Sequence, residues 1–242
     1  MTGQMIGQLN FRLLMALVLT FCIVGCMRER APLSSEDNSA WIQANLDRVM
    51  EKKTFSASNG MQMPYRLFVP TDYSEQTAYP LVVFLHGRGQ RGTRNESNMF
   101  DDVGLFSGDN SIVSPNGQHR FPSIILVPQC SDHSPDQEWA HWVGNSPEKP
   151  FAGLGEDGSY RQHEEPSSSG AAALELIEAT IKDYAIDPDR VYITGVSMGG
   201  FGTWEFTTRR PDLFAAAVPM AGYSDPSKAD KIKDIPFWVF HS

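Results

Sequence analysis

Residues 191–206, VYITGVSMGGFGTWEF, decide the fold. Residues 191–194 are a short apolar run typical of a buried strand, and the residues after Gly200 are predicted to form a helix that ends near Arg210. Glycines two positions either side of Ser197 permit a turn so tight that its hydroxyl projects above the sheet, while the helix N-terminus supplies backbone N–H groups and a positive dipole. Strand, turn and helix in this order favour a nucleophilic serine over a purely structural glycine-rich turn.

A second turn closes another apolar run, residues 81–85. It contains Phe84-Leu85-His86-Gly87-Arg88-Gly89 and frees backbone N–H groups beside the carboxyl edge of the predicted sheet. Such groups stabilise the oxyanion of a tetrahedral intermediate. We predict that the N–H groups of Met198 and Arg88 form this oxyanion hole. His86 is predicted to fix the turn by hydrogen bonding rather than to act as the general base.

The rest of the chain has the pattern of predicted strands and helices that is typical of an α/β protein. Residues 54–58 and 65–69 flank Asn59-Gly60, a turn pair that needs positive φ and therefore predicts an antiparallel hairpin. Residues 170–184 have helical spacing and lead into the strand before Ser197, which makes a strand-helix-strand unit of a parallel sheet. Continuous apolar runs, typical of strands covered on both faces, occur at residues 81–85, 124–127, 191–194, 215–219 and 237–240.

Composition narrows the classes of function. The chain has 242 residues, 41% of them hydrophobic, which is enough for a sizeable core. Its 29 acidic and 20 basic residues give a net charge of −9, so nucleic acid is a poor candidate partner. Serine-based acyl chemistry needs no cofactor. No metal is predicted, because no zinc or calcium spacing occurs among the residues of metal-ligand type Asp132, His133, Asp136, His141, His163 and Glu164.

The N-terminus predicts export. Residues 13–24 are one apolar run that follows Arg12, too short to cross a bilayer and typical of a secretory signal. Ile23-Val24-Gly25-Cys26 resembles the bacterial lipobox, which predicts a lipid anchor on Cys26 and a protein held at the cell envelope through that lipid alone. The alternative is an ordinary cleaved signal. The predicted organisation is a signal peptide at 1–25, a tether and N-terminal segment at 26–50, and a catalytic domain at 51–242.

A long segment separates the run at 124–127 from the helix at 170–184. Residues 128–169 are rich in Pro, Gly, Ser, His and Trp, and a connection of this length is usually functional or mobile. Trp139 and Trp142 either line an aromatic substrate cleft or anchor the loop to the core.

Four blocks of sequence resemble a known family. They are residues 79–87 with Arg91-Gly92 behind them, 127–130, 186–200 and 211–219. Together they resemble the phospholipase/carboxylesterase-like branch of the α/β-hydrolases, near the bacterial predicted peptidases and the feruloyl- and acetylxylan-esterase-like enzymes. The resemblance implies an α/β-hydrolase fold and a serine esterase that acts through an acyl-enzyme on small-molecule or polysaccharide-linked esters. Gln90 departs from the pattern, since relatives commonly carry an acidic residue there.

The carboxyl terminus bears on where the catalytic acid and base that would activate Ser197 lie in the sequence. Residues 235–241 resemble the penultimate core strand, after which relatives continue with a glycine, a catalytic aspartate and a catalytic histidine. The resemblance therefore implies that acid and base follow residue 242, and that the chain is a fragment without the final strand and helix. His241 corresponds to a strand-end histidine.

Other interpretations remain open. A working enzyme could recruit a replacement base, for which the loop candidates are His119, His133, His141 and His163. A serine peptidase of the same fold would use the same machinery on amides. A non-catalytic, envelope-tethered binding protein would retain the fold without turnover.

Overall fold

The computed structural model describes residues 32–99, 104–132, 141–144 and 152–241. The predicted signal peptide and the predicted lipidation site, Cys26, lie outside these residues. Among the described residues, no helix is both long enough and apolar enough to span a membrane.

A six-stranded sheet organises the fold, with strand order β1-β2-β4-β3-β7-β8. β1 and β2 form an antiparallel hairpin, β2 pairs antiparallel with β4, and β4, β3, β7 and β8 run parallel. This is the predicted arrangement, a mostly parallel sheet with an antiparallel start. The strands are β1 Glu51–Ser56, β2 Gln62–Phe68, β3 Tyr79–Leu85, β4 Ile124–Pro128, β7 Ile186–Val196 and β8 Ala216–Met220, with a separate two-stranded hairpin of β5 Gly153–Leu154 and β6 Tyr160–Arg161.

The opening hairpin has the predicted Asn59-Gly60 turn, with positive φ at only one of the two residues. Gly60 has φ of 84°, and its N–H donates to Ala57 O at 3.0 Å. Asn59 does not have positive φ; its side-chain oxygen instead accepts from Met61 N–H at 3.1 Å. The positive φ predicted for this turn pair is therefore supplied by Gly60.

Five helices accompany the sheet in the described residues: α1 Ser35–Val49, α2 Pro115–Arg120, α3 Ser168–Asp183, α4 Met198–Arg209 and α5 Ala229–Ile232. α3 confirms the helix predicted at 170–184, and its first turn is capped by the Ser167 hydroxyl, which accepts from Gly170 N–H. α4 starts directly after Ser197, three residues earlier than predicted, so the turn before it is tighter than the sequence indicates.

The central strands are buried on both faces. Along β3, Leu81, Val83 and Leu85 join the core beneath α3 and α4, while Val82 and Phe84 pack into the core on the opposite face. All five residues of β4 are buried as well. The runs at 81–85 and 124–127 thus form strands covered on both faces, as predicted.

The carboxyl ends of the parallel strands lie level with one another. Leu85 of β3 pairs with Gly195 of β7, which pairs in turn with Pro219 of β8. The turn after β3 and the turn after β7 therefore emerge side by side, which brings the two predicted site motifs together.

α1 lies inside residues 26–50, the region predicted to hold a tether and an N-terminal segment. Ser34 accepts from Asp37 N–H as the N-cap, Ile42 is 2% exposed in the second core, and the buried Asn38 side chain donates to Ser114 Oγ at 3.0 Å. The folded unit accordingly begins at Ser34. The apolar face of this helix covers the sheet, so α1 is part of the folded unit.

We expect Ile42→Ala to lower the free energy of unfolding by about 2–5 kcal/mol, since it empties a buried site. Gln43→Ala, on the exposed face of the same helix, is the matched control and should change stability by less than about 0.5 kcal/mol. Urea unfolding of both variants measures the difference. Equal stability of the two variants would return residues 34–50 to the role of a tether.

The last apolar run pairs less extensively than predicted. Residues 237–240 make two isolated parallel bridges to β8, Ala217 with Phe237 and Met220 with Phe240, instead of a continuous strand. Phe237 stacks on Trp204 of α4 with ring centroids 4.6 Å apart, whereas Trp238 is 69% exposed.

Candidate active site

Ser197 lies at the junction of β7 and α4 in a strained backbone conformation. Its φ is 55° and its ψ is −118°, a region that non-glycine residues rarely adopt. Its N–H donates to Met220 O at 2.9 Å, which ties the turn to the end of β8. The side chain is exposed and does not cap the helix. The hydroxyl is thus presented above the carboxyl edge of the sheet, as the sequence predicts.

Glycine is required on both sides of Ser197. A Cβ on Gly199 would lie 1.8 Å from Leu85 O, and a Cβ on Gly195 would lie 2.5 Å from Gly199 O. Both distances are far inside van der Waals contact, and both clashes involve backbone atoms. The Gly-x-Ser-x-Gly spacing is therefore a packing requirement: the elbow fits only if β3 and α4 approach without side chains between them.

The two predicted oxyanion donors border Ser197. Met198 is the first residue of α4, and the N–H groups of a first helical turn have no acceptor within the helix. A Cβ on Gly87 would lie 3.8 Å from Ser197 Cβ, so the Gly87–Arg88 peptide passes beside the serine. Arg88 begins a 3-10 turn, Arg88–Gln90. The structure brings the three predicted residues together; their catalytic roles stay a prediction.

His86 is a buried support of this turn. Its Nδ1–H donates to Gly87 O at 2.7 Å, and its Nε2 accepts from Cys130 N–H at 3.0 Å, an arrangement that requires the neutral ring with hydrogen on Nδ1. Burial lowers the pKa of His86 to about 4. Since both ring nitrogens are occupied, the ring fixes the turn and is not a general base, which confirms the prediction.

His141 is the second buried imidazole. Its Nδ1 accepts from Val143 N–H at 3.1 Å, and its ring stacks on Phe201 with centroids 6.4 Å apart. Burial, aided by Arg91 and Arg88, lowers the pKa of His141 to about 4, which makes it a poor proton acceptor near neutrality. Of the other loop candidates, His119 lies in α2, His163 follows β6, and His133 is outside the described residues.

The buried histidines predict acid sensitivity. Their pKa values are depressed from 6.5 to about 4, so the unfolded chain takes up protons in this window that the folded chain excludes. Each histidine stabilises the fold fully above pH 6.5 and loses up to about 3 kcal/mol of that contribution toward pH 4. Glu205 opposes this trend, because burial raises its pKa to about 7 and its contribution is lost as pH rises.

Two histidines against one glutamate leave a net loss of stability on acidification. We expect urea unfolding at pH 7 and pH 4.5 to give a lower free energy of unfolding at the acidic pH. His141→Asn should reduce the difference between the two values. A free energy of unfolding that is higher at pH 4.5 than at pH 7 would contradict the depressed pKa values of the two histidines. So would a difference between the two pH values that is the same in His141→Asn as in the parent.

Trp142 anchors the long segment to the core. It is 0% exposed, and its Nε1–H donates to His86 O at 2.9 Å. Gly202 of α4 leaves room for it, since a Cβ there would lie 2.8 Å from Trp142 Cβ. Of the two interpretations, the anchor holds for Trp142. Trp139 is outside the described residues.

An aromatic cluster that the sequence did not reveal begins at Phe201, one helical turn after Ser197, whose carbonyl accepts from Phe201 N–H at 3.1 Å. It comprises Phe201, Tyr223 and Tyr160: the first two rings meet edge to face at 4.6 Å, and the two tyrosine rings lie 5.0 Å apart. Asp225 fixes β6 beside the cluster by accepting from Gln162 N–H at 2.9 Å and from the Arg161 guanidinium at 3.2 Å. Tyr223 follows β8 at the same edge of the sheet, which is the signal that could have found it.

The described residues contain one free cysteine and no metal cluster. Cys130 is buried, and burial raises the pKa of its thiol to about 12, so it is a poor nucleophile. No three His, Cys, Asp or Glu side chains in these residues are grouped so that they could hold a metal ion.

A mostly parallel sheet that presents a serine in a strained strand-to-helix elbow, with a backbone turn beside it, defines an α/β-hydrolase. Comparison with known proteins agrees. A crystal structure of a thermostable esterase superimposes with a TM-score of 0.63 and 38% identity, over 80% of this chain and 46% of that one.

Sequence relatives extend the comparison. The chain is 29% identical over 143 residues to poly(3-hydroxyalkanoate) depolymerase C of Paucimonas lemoignei, covering 59% of this chain and 28% of that protein. It is 35% identical over 79 residues to acetylxylan esterase A of Emericella nidulans, covering 31% of this chain and 26% of that protein. Residues 171–241 match the model of the prolyl oligopeptidase family.

The chain has an α/β-hydrolase fold and is similar in sequence to carboxylesterase-like proteins of that fold. It spans about half the length of the thermostable esterase and about a quarter of the length of each of the two sequence relatives.

Proposed function

We propose that this protein is a serine hydrolase that cleaves carboxylic esters, with Ser197 as its nucleophile. The observation that carries the proposal is the exposed Ser197 hydroxyl, held at φ of 55° between the N–H-bearing turns at Met198 and Arg88. Strained conformations of this kind persist where the surrounding structure imposes them, and they cluster at reactive sites.

The reaction follows from this placement. Ser197 Oγ forms a bond to the ester carbonyl carbon while its proton passes to a general base. The carbonyl electrons move onto oxygen, where the Met198 and Arg88 N–H groups stabilise the negative charge. Collapse of the intermediate breaks the bond to the alcohol, which leaves with the proton. Water then attacks the acyl carbon and gives a proton to the same base, the bond from that carbon to Ser197 Oγ breaks, and the serine regains its proton as the carboxylic acid leaves.

The named relatives favour an ester as the substrate. The thermostable esterase and acetylxylan esterase A are both named for ester cleavage, and the depolymerase is named for a polymer of hydroxyalkanoate units. We therefore propose small-molecule esters and polysaccharide-linked esters, such as those of acylated plant polysaccharide, as the substrate class.

A substrate panel tests the proposal. Purified full-length protein is assayed with p-nitrophenyl esters, acetylated and feruloylated xylosides, and aminoacyl amides, each beside the Ser197→Ala variant. We expect serine-dependent turnover of esters. Folded protein without turnover of any substrate would favour the envelope-tethered binding protein.

The second candidate function is peptide cleavage. It is favoured by the match of residues 171–241 to the prolyl oligopeptidase family, a stretch that contains the elbow. The same nucleophile and oxyanion hole can act on amides, so only the measured preference separates the two functions. In the same panel, a higher kcat/KM for aminoacyl amides than for esters would favour peptide cleavage.

We propose further that Cys26 carries a lipid that holds the protein at the bacterial envelope. Support comes from the apolar run at 13–24 followed by Ile23-Val24-Gly25-Cys26. Mass spectrometry of the mature N-terminus, from a bacterial host, should find diacylglycerol on Cys26, and Cys26→Ala should release the protein from the membrane fraction. An unmodified N-terminus elsewhere would contradict the anchor.

A further inference from the structure

Gln129 connects the end of β4 to the turn beside Ser197. Its side chain is 1% exposed. The Nε2 group donates to Gln90 O at 3.0 Å and to Ser97 Oγ at 3.1 Å, and Oε1 accepts from Asn95 N–H at 2.7 Å. The partners fix which end of the amide is oxygen, since Asn95 offers a donor and Gln90 an acceptor.

The contact with Gln90 reaches the predicted oxyanion donor through one shared carbonyl. Gln90 closes the 3-10 turn that Arg88 begins, and its N–H donates to Gly87 O at 3.3 Å. The same Gly87 O accepts from His86 Nδ1–H at 2.7 Å. A peptide unit is planar, so holding the Gly87 carbonyl also sets the direction of the Arg88 N–H.

The rest of the loop is fastened to the same place. Cys130, the next residue, donates its N–H to His86 Nε2 at 3.0 Å and accepts from Gly92 N–H at 3.0 Å. Asn95 is held at φ of 60° by its side-chain amide, which donates to Lys53 O and Tyr65 O. Gln129 and Cys130 therefore form a clamp whose contacts run from His86 to Ser97.

A buried amide is a costly choice for a residue that only fills space. Burying a polar side chain is unfavourable unless its hydrogen bonds are made, and an apolar residue of the same volume avoids that cost. All three contacts of the Gln129 amide go to one loop, and that loop borders the serine. A glutamine at position 129 is explained if its hydrogen bonds fix the position of the loop that borders Ser197.

We propose that Gln129 is a positioning residue of the oxyanion hole: it holds the turn at Arg88–Gln90 so that the Arg88 N–H faces the oxygen that develops at Ser197. The proposal rests on the function proposed above. It predicts that loss of the amide slows acylation of Ser197 without weakening the preceding reversible encounter.

Inactivation by an alkyl fluorophosphonate tests this. Ser197 Oγ bonds to phosphorus while its proton passes to the general base, and fluoride leaves. The phosphoryl oxygen occupies the oxyanion hole, so kinact reports the geometry of the hole while KI reports reversible binding. In full-length Gln129→Met we expect kinact to fall by about tenfold to a hundredfold, with KI within about twofold of the parent. Complete loss of one donor costs about a hundred- to a thousandfold, and displacement costs less.

Two further variants separate positioning from stability. Gln118→Met is the matched control, because that glutamine also bridges two backbone groups, Ile112 O and Ser123 N–H, but in the segment at α2. It should leave kinact unchanged even if its melting temperature falls. Ser97→Ala removes the Ser97 hydroxyl that donates to Gln90 O at 2.9 Å, and a smaller fall in kinact is expected.

The outcomes distinguish failure of the positioning role of Gln129 from failure of the proposed hydrolase function. A parent protein labelled at Ser197 with folded Gln129→Met of equal kinact overturns the positioning role and leaves the hydrolase intact. If Gln129→Met does not fold, Ser97→Ala decides: a lower kinact supports the role and the parent value overturns it. A folded parent that is not labelled overturns both.

Discussion

Gly199→Ala is expected to abolish both the folded elbow and any reaction at Ser197. The added methyl would lie 1.8 Å from Leu85 O and 2.9 Å from His86 O, and these are backbone atoms of a buried strand end. Relief would require β3 and α4 to separate, which disrupts the core beneath them and moves the oxyanion turn. We expect loss of soluble folded protein, or a large fall in melting temperature with no fluorophosphonate labelling.

Gly89→Ala is the matched control for that variant. Gly89 lies in the turn beside the serine, its φ is not positive, and an added Cβ there meets no atom within 4 Å. Its stability and labelling should stay near those of the parent. If Gly199→Ala behaves like Gly89→Ala in circular dichroism and labelling, the close approach of α4 to β3 is wrong.

Ser197→Ala is expected to remove ester hydrolysis almost completely. Loss of the nucleophile in a serine protease lowers turnover by on the order of a millionfold, and the oxyanion donors that remain give only a small residual rate. Ser227→Ala is the control and should retain parent kcat/KM, because Ser227 is an exposed serine in the 3-10 helix Pro226–Lys228. Retention of serine-type ester turnover in Ser197→Ala would show that another group attacks the substrate.

The same position predicts a trade between activity and stability. Ser197 has φ of 55°, a backbone conformation that costs about 1–3 kcal/mol for a residue with a side chain and little for glycine. We therefore expect Ser197→Gly to have a higher melting temperature than Ser197→Ala, although both are inactive. Equal melting temperatures would mean that the elbow stores no strain.

The site could be predicted wherever it depends on residues close together in the chain. The elbow and the turn after β3 are each six-residue patterns, and the parallel sheet that places them side by side follows from the apolar runs. Local signals could also have predicted α1. Ser34 is a typical N-cap, and Glu36 and Asp37 lie in the first turn. Ile42 and Leu46 are spaced as on one face of a helix.

Features that depend on distant pairs could not be predicted. Gln129 meets Gln90 and Asn95 only because β4 lies beside β3, an order that the sequence of apolar runs does not specify. Trp142 is buried because Gly202 leaves space for its ring, and no local pattern relates those two positions. The aromatic cluster likewise joins residues from β6, α4 and the end of β8, so each ring alone gives no signal.

The most direct test of the account is to locate the adduct formed by a fluorophosphonate on the folded full-length protein, by peptide mass spectrometry. We expect a single adduct on the hydroxyl of Ser197, absent from Ser197→Ala and present in Ser227→Ala. A protein that is folded by circular dichroism but carries the adduct on another residue, or carries none, would contradict it.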